Sequence, residues 1–145
     1  METRRSKDVL IVDDDEEVRR LLCAMLERTG LTCEAASHGV EALGYLRVTT
    51  YSVVLLDLEM PELDGTGVLS EMLSWNEPEE RKPVILIVTG TPEREMPLLP
   101  GDIAQAIVRK PIDSADLAGI VGGCVAARQA RLAGVTQAAG DHLVA

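Results

Sequence analysis

The chain has 145 residues, 46% of them apolar and 26% charged, which excludes a disordered segment and is enough to bury one core without disulfides or a structural metal. Its formal net charge of −10 argues against nucleic acid or an anionic membrane as a direct partner, since both are polyanions. No apolar run approaches the roughly 18–20 residues that span a bilayer, so the expected compartment is the cytoplasm.

The first apolar run, residues 9–12, has the length of a buried strand and stops abruptly at Asp13-Asp14-Asp15. Val18, Leu21, Leu22, Met25 and Leu26 then recur at helical spacing among charged residues, with Asp15 as the cap and Gly30 as the stop. Residues 31–35 read as a weaker strand, and residues 38–47 as a second helix with Ser37 as its N-cap. A buried strand over residues 52–56 ends at Asp57, and a third helix follows over 66–75. Residues 76–82 are a polar loop, and 84–88 is the clearest strand in the chain. Between Thr91 and Asp102, Pro92, Pro97, Pro100 and Gly101 leave little room for a fourth helix. A fifth strand is expected over 103–108. The last helix starts near Asp113 and Ser114, carries Leu117, Ile120, Val121, Cys124 and Val125, and is weakened by Gly119, Gly122 and Gly123. From about Arg128 the chain reads as a frayed helix or tail, with Arg128 and Arg131 on a solvated face.

Strands alternating with crossover helices imply an α/β fold, a parallel sheet with helices on both faces. The near absence of aromatics, with no Phe at all, makes the core aliphatic. Cys23, Cys33 and Cys124 form no C-x-x-C pair and fit reduced, mostly buried thiols. His38 and His142 lack metal-ligand spacing and read as surface residues, while Tyr45 and Tyr51 read as packing or loop residues.

In such folds ligands bind at the carboxyl ends of the strands. After the first run come Asp13 and Asp14, after the third Asp57, after the fourth Thr89, and after the fifth Lys110, one of only three lysines. Carboxylates gathered in one pocket repel each other, and a hard divalent cation with oxygen ligands removes that cost, so Mg²⁺ is the natural candidate. A carboxylate beside such an ion can accept a phosphoryl group, with an ammonium and a hydroxyl sharing the transferring oxygens. The residues alone thus point to a Mg²⁺-dependent phosphoryl acceptor.

Val12-Asp13-Asp14, then Leu56-Asp57-Leu58-Glu59-Met60-Pro61 with Asp64-Gly65, then Val88-Thr89-Gly90, then Lys110-Pro111, closely resemble the response-regulator receiver family. The resemblance covers residues 7–127 and leaves 128–145 as a C-terminal helical extension or tail. It implies a flavodoxin-like, doubly wound (βα)5 domain with strand order 2-1-3-4-5, here with a short or irregular fourth helix. It also implies that Asp57 accepts a phosphoryl group from a histidine kinase or phosphotransfer protein. Asp13 and Asp14 would hold Mg²⁺, joined by Asp57 and the backbone carbonyl of Glu59. Thr89 would be the switch hydroxyl and Lys110 the phosphate-binding lysine, followed by a cis peptide bond to Pro111. A protein of this kind is not a metabolic enzyme. It would act as a monomer or weak dimer on a downstream protein that the sequence does not name.

The chain departs from the family at Ile107, where Tyr or Phe is usual, and at Ile112, where Phe is common; an aliphatic side chain cannot make the large swing by which the aromatic is coupled to the threonine. Two other functions remain in view. One is a degenerate receiver that binds a protein regardless of phosphorylation. The other is an aspartate-nucleophile phosphatase of the haloacid-dehalogenase type, which chain order disfavours.

Overall fold

The computed structural model describes residues 5–60, 64–96 and 104–141. The elements are β1 (Arg5–Val12), α1 (Glu16–Arg28), β2 (Cys33–Ala36), α2 (Gly39–Val48), β3 (Thr49–Leu56), α3 (Gly65–Ser74), β4 (Val84–Thr89), β5 (Ala104–Arg109) and α4 (Ser114–Asp141). All strand pairs are parallel, in the order β2-β1-β3-β4-β5, as the alternation of strands and helices predicts.

Because strand side chains alternate in direction, the same apolar runs supply both faces of the sheet. Leu10, Val12, Val54, Leu56, Ile85 and Ile87 face α2 and α3. Val9, Ile11, Val53, Leu55, Leu86 and Val88 face α1 and α4. Fully burying one such aliphatic side chain contributes about 1.5–3 kcal/mol, so these two layers outweigh every other stabilising feature of the fold. The central strands are fully covered, which is why they read as unbroken apolar runs.

Several local expectations need correction. The N-cap of α2 is His38, whose Nδ1 accepts from the Glu41 N–H at 3.1 Å; Ser37 instead donates its own N–H to Glu41 Oε1 at 3.1 Å. The reciprocal pattern of a capping box is thus kept, displaced by one residue. β1 begins earlier than its apolar run, with Arg5 and Lys7 beside Glu34 on β2. Of the packing and loop roles open to Tyr51, it takes the packing one, in the core, its hydroxyl donating to Glu34. The three cysteines are free but only half-buried, and burial pushes the Cys33 thiol up to about 12. The described part of the proline-rich segment holds one 3-10 turn, Glu93–Glu95, while residues 97–103 and His142 lie outside the described residues.

The largest correction concerns Arg128. It is buried, not solvated, at 6% exposure. Its Nε donates to the Lys82 carbonyl at 3.1 Å and its Nη2 to the Glu80 carbonyl at 2.7 Å, tying α4 to the turn before β4. The three glycines do not break α4, because Leu117, Val121 and Val125 anchor it on the sheet. Arg128→Leu removes two charge-assisted bonds and leaves two carbonyls short of a donor, but also relieves the burial of a charge. We expect a net loss of about 2 kcal/mol, lowering Tm by roughly 5 °C in thermal unfolding. A change within about 0.5 kcal/mol would fit a solvated arginine instead.

Candidate functional site

The strand ends place the candidate residues. Asp13 follows β1 and Asp57 follows β3. The backbone ladder continues one step past the strands, from Asp57 N–H to the Val12 carbonyl at 2.9 Å, so the two carboxylates stand side by side. Asp13 and Asp57 are buried at 3% and 4% exposure, while Asp14 is exposed. One oxygen from each of Asp13, Asp14 and Asp57 falls within 4.8 Å of the others. Lys110, one residue beyond β5, reaches across with Nζ 3.1 Å from Asp13 Oδ2 and 3.4 Å from Asp57 Oδ2. Its backbone N–H donates to the Thr89 carbonyl at 2.9 Å, and the peptide bond to Pro111 is cis, as expected. Thr89 ends β4, wholly buried, with its Oγ1 accepting from the Thr91 N–H at 3.0 Å. Glu59 donates its backbone N–H to Asp57 Oδ1 at 3.1 Å.

Two helix starts frame this pocket. Asp15 caps α1, accepting from the N–H groups of Glu17 and Val18, and Asp64 caps α3, accepting from Gly67 N–H at 3.0 Å and Thr66 Oγ1 at 2.7 Å. Gly65 lets α3 begin directly against the loop after β3: a Cβ there would lie 2.6 Å from the Asp57 carbonyl oxygen.

The electrostatics follow from burial and neighbours. Burial pushes the Asp57 carboxyl above its ordinary value; the Glu59 N–H pulls it down, the Asp13 charge raises it further, and Lys110 lowers it. For Lys110, burial works against the charge, yet Asp13 and Asp57 outweigh it and hold the ammonium above its usual value. Three carboxylates face one ammonium, so the pocket carries an excess of negative charge and offers only oxygen donors to a metal. That donor set fits a hard divalent cation such as Mg²⁺.

A family model of the response regulator receiver domain matches residues 9–121. The chain belongs to this family. The receiver domain is 35% identical over 122 residues to the sensor histidine kinase AtsR of Burkholderia thailandensis, covering 82% of this chain but only 20% of the kinase. A solved receiver domain protein from Methanospirillum hungatei superposes with a TM-score of 0.71 at 20% identity, over 89% of this chain and 99% of that one. The response regulator TrrA of Thermotoga maritima, solved in complex with Mg²⁺ and BeF, gives 0.66 at 27% identity, over 81% and 98%. The strand order and the family match together overturn the haloacid-dehalogenase alternative. Among the described residues no helix is long and apolar enough to cross a membrane.

Sequence reasoning names six candidate residues, Asp13, Asp14, Asp57, Glu59, Thr89 and Lys110, and all lie at this one end of the sheet. It misses Thr91 and Arg109, which contact Glu59 and each other at the rim: the Thr91 hydroxyl donates to Glu59 Oε1, and Arg109 Nη1 donates to the Thr91 carbonyl. No motif marks either residue. Ile107, at the position where an aromatic is usual, is 45% exposed, and Ile112 is packed partly into the α1–α4 layer.

Proposed function

We propose that this receiver domain accepts a phosphoryl group on Asp57 and thereby switches a protein–protein interaction. The observation that carries the reading is the buried Asp57 carboxylate beside Asp13, with Lys110 bridging both, in a chain of the receiver family. Asp13, Asp14, Asp57 and the Glu59 carbonyl would hold Mg²⁺, which when bound supplies charge neutralisation to the pocket and to the phosphoryl oxygens.

The acceptor must be ionised to attack, and the Glu59 N–H and Lys110 favour that state. A carboxylate oxygen of Asp57 forms the new bond to phosphorus as the phosphorus–nitrogen bond of a phosphohistidine breaks, and the histidine leaves with the electron pair. Lys110 would leave its carboxylate partners for a phosphoryl oxygen, and the Thr89 hydroxyl would donate to another. Both groups stand at the carboxyl end of the sheet, on the side of Asp57. The donor would be a histidine kinase or a phosphotransfer protein, and the reader an unidentified protein partner in the cytoplasm. The domain would catalyse only its own phosphorylation and dephosphorylation. We take residues 7–127 as the switching unit, with α4 continuing from it. A second reading, phosphorylation-independent binding, draws on the exposed Ile107, which cannot make the usual aromatic swing.

Incubation of the protein with Mg²⁺ and acetyl phosphate is expected to give one acid-stable, base-labile phosphoryl group by intact mass, mapping to Asp57. Chelation of Mg²⁺ is expected to abolish it. A folded protein that forms no adduct and binds no beryllofluoride would instead support the phosphorylation-independent reading.

A further inference from the structure

The reading above leaves Thr91 and Arg109 without a role, yet together they form a strap across the rim of the acceptor pocket. Thr91 is engaged on three sides. Its N–H donates to Thr89 Oγ1 at 3.0 Å, its hydroxyl donates to Glu59 Oε1, and its carbonyl accepts from Arg109 Nη1. Arg109 is exposed and makes no ion pair among the described residues, so this carbonyl is its contact with the site. The far end of the strap is the informative one. Glu59 already touches Asp57 through its backbone N–H, so its carboxylate is tethered one side chain from the acceptor. Left free, it would add a fourth negative charge to a pocket where three carboxylates face one ammonium. A phosphodonor is itself an anion, and a like charge near its path slows its arrival.

We propose that Arg109, acting through Thr91, is a positioning residue that keeps the Glu59 carboxylate out of the path of an anionic phosphodonor. The proposal rests on the receiver reading, since it presumes that Asp57 is the acceptor. Arg109 fixes the Thr91 carbonyl, the fixed backbone aims the Thr91 hydroxyl, and the hydroxyl holds Glu59 outward. The site's own cation, Lys110, then has only Asp13 and Asp57 as carboxylate partners to give up for the donor.

The test is a double-mutant cycle on the rate of adduct formation from acetyl phosphate at saturating Mg²⁺, at low and at high ionic strength. Arg109→Gln is expected to slow the reaction about three- to fivefold, the rate equivalent of a partly exposed charge interaction, with the deficit shrinking at high salt. Thr91→Val, which keeps the carbonyl but loses the hydroxyl, is expected to reproduce that loss. In a Glu59→Gln background Arg109→Gln is expected to change nothing. In metal-free protein, with no donor, the Glu59 side-chain carboxylate ¹³C signal is expected to move on Arg109→Gln. Equal slowing in both backgrounds would assign the effect to the arginine's own charge and overturn the proposal, as would an unslowed single variant or an unmoved Glu59 signal. Absence of both an adduct and beryllofluoride binding in the wild-type protein would sink the phosphoacceptor reading itself, whereas the metal-free Glu59 signal still judges the strap.

Discussion

Asp57→Asn is expected to abolish the phosphoryl adduct completely and, in metal-free buffer at neutral pH, to raise Tm by a few degrees. Loss of the adduct follows because the amide offers no nucleophilic oxygen anion to phosphorus. The gain in stability follows from the environment of the carboxylate. Asp57 is 4% exposed, and its carboxyl lies above the ordinary range chiefly because burial disfavours its charge, with Asp13 adding repulsion. A group whose pKa is raised on folding destabilises the fold wherever it is ionised, that is, above the folded value. That penalty fades as pH falls through the folded pKa toward the ordinary carboxylate range. Asn keeps the shape and an acceptor oxygen for the Glu59 N–H, and it carries no charge. The advantage of the variant should therefore be largest at neutral pH and shrink on acidification. Added Mg²⁺ should narrow it too, since an ion that binds the folded state stabilises the wild-type protein more. Thermal unfolding with and without chelator across this pH range measures all three trends. A variant less stable than wild type in chelator at neutral pH would mean that the Lys110 pair outweighs the burial of the charge.

The second large effect is expected at Gly65. An alanine Cβ there would sit 2.6 Å from the Asp57 carbonyl oxygen, 2.8 Å from the Leu58 Cα and 2.9 Å from the Leu58 Cδ2. Two of these are backbone atoms of the acceptor loop, so relief requires moving either the loop or the start of α3. The helix start is itself fixed by the Asp64 cap and by the Gly65 N–H to the Leu58 carbonyl at 3.2 Å. Gly65→Ala is expected to cost about 2–3 kcal/mol by overpacking, seen as a fall of roughly 5–10 °C in Tm. Because the displaced atoms belong to Asp57 and Leu58, adduct formation should slow by about tenfold or more even in the folded fraction, as small misplacements of reacting groups do. Wild-type stability with wild-type phosphorylation would show that the loop gives way freely, contrary to this packing.

The site was more legible in the sequence than its surroundings. Asp13, Asp57 and Thr89 each end or directly follow an apolar run and Lys110 stands one residue beyond β5, and a parallel sheet brings such ends together whatever the loops do. Glu59, Thr91 and Arg109 meet only because three strands end at the same level, and their separations of 32 and 18 residues carry no periodic signal. Arg128 does leave a trace in the sequence. It follows Leu117, Val121 and Val125 on the buried stripe of α4, where an arginine must find carbonyl partners to be tolerated. Glycine content made the same helix look weak, but packing on the sheet decides the matter over intrinsic propensity. At the start of α2, Ser37 has the better capping propensity, yet His38 occupies the cap because its Nδ1 faces the Glu41 amide. A one-residue displacement of that kind lies within the ordinary ambiguity of helix ends.

The clamp at Arg128 also divides α4 mechanically. The helix has 28 residues, which at 1.5 Å per residue is about 42 Å, and the 13 residues beyond Arg128 account for about 20 Å of it. The first part is packed on the sheet, and beyond the clamp Arg131 makes an exposed, weak pair with Glu79 at 3.8 Å. Arg128 is thus a fulcrum and the distal segment a lever arm. A tilt of roughly 5° at the fulcrum, too small to disturb the core, would carry the far end of a 20 Å arm through about 2 Å.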